Sequence, residues 1–177
     1  IASADVQVFR AALLAEANRD AEALASLQQV LASEPEHLPA TIQCARLLHR
    51  NGKTSDALAA YESALRLAPE AVDALIGRGE VMRAMGRLAD AVSDYDTALL
   101  FAPDRFEAVF LRAAALHALG HHDQAIAGYD HALAIRPDDP STLHNRAIVE
   151  SELYRFEDAL AGFRGLAAID ASYPHAL

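Results

Sequence analysis

The chain has 177 residues, 53% of them apolar, and carries a formal net charge of -10. That length can bury a sizeable interior, while the acidic balance excludes the clustered Lys and Arg of a phosphate-tracking groove, so no nucleic-acid partner is expected. No apolar run reaches the roughly 18 residues of a spanning helix, so no membrane insertion is expected; the sole cysteine, Cys44, excludes an internal disulfide, which is compatible with a cytoplasmic location, the favoured expectation.

The elements follow one another at a fixed period. In 4–37, Ala11, Asn18, Ala23, Leu27 and Pro35 mark the positions that later stretches repeat. In 38–71 the same places hold Ala45, Gly52, Ala57, Tyr61 and Pro69, each displaced by the step from Pro35 to Pro69. In 72–105 they hold Gly79, Gly86, Ala91, Tyr95 and Pro103. Here the pattern predicts a first helix from about Val72 to Met85 and a second within Arg87–Pro103. Gly86 accepts the left-handed angles of a helix end, and Pro103 forbids continuation. Ala91, Tyr95, Ala98 and Leu99 recur at three- and four-residue steps and so share one face. In 106–139 the marks are Ala113, Gly120, Ala125, Tyr129 and Pro137; in 140–173 they are Ala147, Tyr154, Ala159 and Phe163. Leu177 falls in the row of Leu75, Val109 and Leu143, which predicts a sixth unit or a capping helix starting at 174–177. A solenoid needs a polar terminal cap, so the chain is expected to be a fragment of a larger protein. It also begins at Ile1 without a Met.

Each unit therefore reads as two helices joined by a tight turn. The small-residue rows allow close backbone approach, and the aromatic row fills the space between neighbours. No single pair can bury its apolar face alone, so stacking supplies the core.

These residues resemble the tetratricopeptide repeat (TPR) family in period, small row, turn Gly, recurring Ala, aromatic and closing Pro. The resemblance implies an all-α, right-handed α-solenoid of five stacked helix-turn-helix units, forming a single array over 1–177. The departure is the family's aromatic early in the first helix, where this chain has Gln7, Thr41, Leu75, Val109 and Leu143. Lys53 is the only lysine beside abundant Arg and Ala, a usage that fits a GC-rich, bacterial genome.

Residues that could carry chemistry have plainer readings. His117, His121 and His122 cluster beside Asp123, but Gly120 should end the helix between them. They need not share a face, and a metal site needs converging groups, so no metal is expected. Cys44 reads as a small, partly buried, inert side chain. Gly77 and Gly79 lack the strand and the spacing of a phosphate loop. No hydrolase, kinase or zinc-protease signature occurs, so neither an active site nor a cofactor is expected. Glu62, Asp96 and Asp130 precede Arg78, Arg112 and Arg146, respectively, by one constant step. If second helices pack on the following first helices, these pairs form an inter-unit ladder. Gln28 and Cys44 stand at the same step, where both charges are absent.

The resemblance also implies a concave peptide groove lined by the first helices. Its positions here are Ile42, Gln43, Arg46, His49 and Arg50; then Ile76, Glu80 and Arg83; then Phe110, Leu111 and His117; then His144 and Asn145. Ile42, Ile76, Phe110 and Leu111 are expected to be exposed there, with Arg46, Arg50 and Arg83 gathered on one side. The implied partner is a protein or peptide with apolar anchors and an acidic group. The family's chaperone-clamp residues would fall at Val8, Ala12, Gln43, Asp73 and Gly77, none of which matches. The leading reading is a protein-interaction scaffold. The alternatives are a substrate-recognition arm of a glycosyltransferase-like enzyme whose catalytic domain lies outside this chain, and a module that self-associates end to end.

Overall fold

The computed structural model describes residues 3–169. Among them are ten helices and no strand: α1 Ala4–Glu16, α2 Asp20–Ser33, α3 Leu38–Arg50, α4 Thr54–Leu67, α5 Val72–Ala84, α6 Leu88–Phe101, α7 Phe106–Ala118, α8 His122–Ile135, α9 Pro140–Glu152 and α10 Phe156–Ile169. First helices start at positions 4, 38, 72, 106 and 140, and second helices at 20, 54, 88, 122 and 156, so both sets keep the period of the sequence marks. None is long and apolar enough to cross a membrane. The sixth unit or capping helix expected at 174–177 lies outside the described residues.

The turns explain why helix lengths are so regular. Asn18, Gly52, Gly86, Gly120 and Tyr154 all have positive φ, between 57° and 79°. At Gly52 and Gly120 this bend lets two amides fold back on orphan carbonyls. Gly52 N donates to His49 O and Lys53 N to Leu48 O; Gly120 N donates to His117 O and His121 N to Leu116 O. That double closure is a glycine C-cap. Pro35, Pro69, Pro103 and Pro137 each stand just past the end of a second helix, where a missing amide costs nothing. Two first helices gain side-chain caps as well. His37 Nδ1 accepts from Ala40 N at 3.2 Å, and Asp139 Oδ2 accepts from Thr142 N at 2.8 Å.

The chain separates into two compact units, Ile1–Gly86 and Arg87–Leu177. The division falls in the turn of the third repeat.

In the N-terminal unit each helix packs on the next, and the first helices also touch, α1 on α3 and α3 on α5. One cluster of its core is mostly aliphatic, with Ala11, Ala23, Leu27, Val30, Ala40, Cys44 and Leu47 buried together, and Tyr61 is buried as well. Burial pushes the Cys44 thiol pKa up, consistent with an inert side chain. Gly77 is required by contact rather than by backbone angle, because a Cβ there would sit 2.3 Å from the Tyr61 ring.

In the C-terminal unit α6 packs on α7, α7 on α8 and α9, α8 on α9, and α9 on α10. Its core adds rings to aliphatic residues such as Val109, Leu116, Ile126 and Val149. Tyr95 and Tyr129 are fully buried, and the Phe110 ring lies 6.0 Å from both Phe106 and Tyr129. Burying a side chain of that size contributes about 1.5–3 kcal/mol. Gly128 lets α8 approach α7, where a Cβ would come within 2.8 Å of Ala113 Cβ.

Candidate functional site

In the N-terminal unit the last turns of α1 and α3 enclose a cleft of about 280 Å³ lined by Ala12, Ala15, Glu16, Gln43, Arg46, Leu47 and Arg50. Three of the predicted groove residues, Gln43, Arg46 and Arg50, therefore meet in one place. Small-molecule pockets usually run upward from about 300 Å³. The cleft lies at the lower edge of that range. The amphipathic α3 builds this wall because its apolar positions Ala40, Cys44 and Leu47 turn inward, which leaves Arg46 and Arg50 at the rim.

The cations are not equivalent. Arg50 Nε donates to Asp20 Oδ2 at 2.9 Å, its Nη2 contacts Asp20 Oδ1, and the same nitrogen donates to Ala15 O at 3.0 Å. That guanidinium is committed to holding α1, α2 and α3 together. Arg46 instead lies beside the Tyr61 hydroxyl. Burial pushes this hydroxyl's pKa up to about 12, while Arg46 pulls it down and Glu80 raises it. Arg46 and Arg83 are exposed, Glu80 and Gln43 half-buried. His49 is half-buried, and its Nδ1 is shielded with no hydrogen-bond partner among the described residues.

The apolar members of the predicted set need correction. Ile76 is buried, at 7% exposure. First helices pack on one another as well as on second helices, as α3 does on α5, and an isoleucine in such a seam gains more from burial than from display. Phe110 is half-buried and stacked in the aromatic core, 11° from the plane of Phe106. Ile42 and Leu111 are half-buried. The first helices thus display less apolar surface than expected.

In the C-terminal unit His144 sets its ring edge 6.0 Å from Phe163. Asn145 lies by the Tyr129 hydroxyl, whose pKa burial pushes up to about 12 and Asn145 lowers. His117 points elsewhere: its Nε2 is 2.8 Å from Glu152 Oε2. His122 approaches the same carboxylate, whereas His121, grouped with them in sequence, does not join.

The ladder is present in this unit. Asp96 pairs with Arg112, and Arg146 Nε lies 2.6 Å from Asp130 Oδ1 in an ion pair without hydrogen-bond alignment. The Glu62–Arg78 rung stays an expectation. Arg146 also reaches Glu150 at 3.1 Å. Glu150 is 2% exposed, and burial raises its pKa, with Arg146 opposing and Asp158 and Asp130 adding. Sequence reasoning missed Glu150, yet the signal exists: its row is otherwise Leu14, Leu48, Met82 and Leu116.

Paired helices in periodic register define a helical-repeat protein. Tetratricopeptide repeat models match residues 44–100 and 82–147. The chain belongs to the tetratricopeptide repeat family, an all-α class of helix-turn-helix repeats. No curated protein matches it in sequence. Among solved structures it is similar to MamA from Desulfovibrio magneticus RS-1, with TM-score 0.85, 16% identity, and 97% of each chain covered. It is also similar to YrrB, a TPR protein with an unusual peptide-binding site, with TM-score 0.78, 20% identity, and 98% and 90% covered. A tetratricopeptide repeat protein from Parabacteroides merdae ATCC 43184 matches with TM-score 0.81 and 20% identity over 96% of this chain and 67% of that one. At these identities the likeness is one of fold.

Proposed function

We propose that the chain is a protein-interaction scaffold whose N-terminal unit takes an acidic peptide side chain at the α1–α3 cleft. The observation that carries this reading is the exposed Arg46 on the rim of that cleft, in a chain of net charge -10. A cation exposed on an otherwise acidic molecule selects an anionic partner and steers its approach. Arg83, in the last turn of α5, supplies a second exposed cation on a first helix of the same unit. Half-buried Ile42 offers a shallow apolar contact, so a bound peptide would rely on few anchors. That YrrB carries a peptide-binding site adds support by analogy of fold.

The test is selection of a displayed random peptide library on the intact chain, followed by anisotropy with an enriched peptide. Enriched sequences should pair Asp or Glu with an apolar residue. Reversing both charges (R46E with R83E) should weaken binding by at least about tenfold, the equivalent of about 1.4 kcal/mol, with helicity unchanged. Enrichment of basic peptides, or equal binding by the double variant, would refute the assignment.

A further inference from the structure

Three side chains of the C-terminal unit converge at a helix junction. His117 closes the last turn of α7, His122 opens α8, and Glu152 ends α9. His117 Nε2 is 2.8 Å from Glu152 Oε2, and His122 Nδ1 is 3.7 Å from the same oxygen. The three ligand atoms all lie within 4.8 Å of one another. The two imidazole rings stand 5.8 Å apart and inclined by 56°, so they meet at an angle and do not stack.

A hydrogen bond between His117 and Glu152 accounts for two of these groups. It leaves His122 unexplained. Its Nδ1 is shielded from water and has no hydrogen-bond partner among the described residues, yet it faces the carboxylate. A screened imidazole nitrogen that faces a carboxylate without a hydrogen bond would gain a partner from a metal ion.

The repeat register supplies an independent argument. Three periods earlier in the chain, the positions of His117, His122 and Glu152 are held by Ala15, Asp20 and Arg50. In the N-terminal unit Arg50 belongs to the repeat after Ala15 and Asp20, as Glu152 belongs to the repeat after His117 and His122. Those three positions also meet, and there the Arg50 guanidinium fills the junction, donating to Asp20 and to the Ala15 carbonyl. The same junction in the C-terminal unit contains no guanidinium from these positions. Arg155, close in sequence, is directed to Asp123 at 3.0 Å. The three side chains present two imidazole nitrogens and a carboxylate, which are electron-pair donors to a cation.

We propose that His117, His122 and Glu152 bind a divalent transition ion of the zinc type, which takes the place that a protein cation holds in the N-terminal unit. Two nitrogens and one oxygen suit zinc and its neighbours, whereas calcium and magnesium take all-oxygen sets. Metal–ligand bonds of about 2.0–2.1 Å place tetrahedral ligand atoms about 3.3 Å apart. The 2.8 Å and 3.7 Å separations bracket that value. The side chains are 24%, 32% and 47% exposed, so an ion can enter and the half-exposed Glu152 can adjust. Two of the three donors sit at helix C-terminal ends, whose partial negative charge favours a cation; the α8 N-terminus opposes it. Three protein ligands leave a fourth position for water. Because the ligands come from α7, α8 and α9, the ion clasps the fourth repeat to the fifth, and loading should stabilise the chain.

The experiment uses the untagged full chain and zinc chloride alone, followed by calorimetry in a non-chelating buffer. One zinc per chain is expected, with a rise in Tm. H122A and E152Q should each lower affinity by more than the roughly 10–100-fold that a change behind the ligands can cost. H131A, which alters the separate His131–Asp104 pair at 3.4 Å, should leave it unchanged. Circular dichroism checks that each variant folds. A measurement on the unaltered chain removes any dependence on the variants: long-range nitrogen–proton spectra should move the imidazoles of His117 and His122 on zinc addition and leave His131 in place. Absence of bound zinc, full retention of zinc by folded H122A and E152Q, or shifts confined to other histidines would each overturn the proposal.

Discussion

The two compact units solve one packing problem with different chemistry. The N-terminal unit buries an aliphatic cluster and relies on close backbone approach, with Gly77 admitting the Tyr61 ring. The C-terminal unit packs the rings of Phe106, Phe110 and Tyr129 against one another. Arg50 ties α1 to α3 with a charge it cannot lose. At the equivalent junction two imidazoles and a carboxylate, His117, His122 and Glu152, converge instead. A repeat array can therefore keep one geometry while the last turns of its helices specialise.

The largest effect should come from filling the close approach in the N-terminal unit. G77A puts a Cβ 2.3 Å from Tyr61 Cζ. The ring is buried and cannot swing into solvent, so overpacking should cost about 1–3 kcal/mol. Urea unfolding followed by circular dichroism reads the loss. G128A makes the matching change in the C-terminal unit, where the nearest atom is Ala113 Cβ at 2.8 Å. It should cost less, because the contact is longer. Equal costs would break the contrast between the two units.

Much of this architecture was legible in the sequence, because helix starts, turn positions and small-residue rows obey a period that survives substitution. Positive φ at Asn18 and Tyr154 follows from their place in the row of Gly52, Gly86 and Gly120. The Asp96–Arg112 and Asp130–Arg146 pairs were also readable, since one constant step crosses from a second helix to the next first helix. Exposure was not readable. Whether Ile76 or Phe110 faces outward depends on how far neighbouring first helices close on each other, which the spacing leaves open. Gly120 ends the helix between His117 and His121, so the spacing alone does not require these histidines to share a face. The turn in fact returns the chain, and Glu152 arrives from α9, in the following repeat.

A smaller effect concerns the buried carboxylate of the C-terminal unit. Burial raises the Glu150 pKa above the ordinary value of 4.5, despite Arg146. The folded chain thus holds that proton more tightly than the unfolded chain does. The associated stability is fully present below about pH 4.5 and is lost as pH rises through the folded value. E150Q keeps a neutral side chain of the same shape and removes this dependence. Its stability relative to the parent should improve as pH rises from 4 to 7, read from urea unfolding at each pH. Parallel curves for the two proteins would mean that Arg146 compensates the buried charge in full. The two units would then differ less in their pH response than the contrast requires.

The smallest effect tests whether the turns of the two units are equally relaxed. Tyr154 occupies the glycine position of the last turn at φ 59°, and its ring is 80% exposed. Left-handed angles cost a residue with a Cβ roughly 1–2 kcal/mol. Glycine removes that cost, while its greater freedom in the unfolded chain takes back about 0.5–1 kcal/mol. Y154G should therefore stabilise by about 0.5–1 kcal/mol. The matching N-terminal change, N18G, should gain less, since asparagine already tolerates these angles at φ 57°. Thermal unfolding of both variants ranks them. A larger gain from N18G would place the greater backbone strain in the N-terminal unit, reversing the order that these side chains imply. If Y154G gave no gain at all, the exposed tyrosine would be making a compensating contact, and its ring edge against Phe156, 5.8 Å away, is where to look.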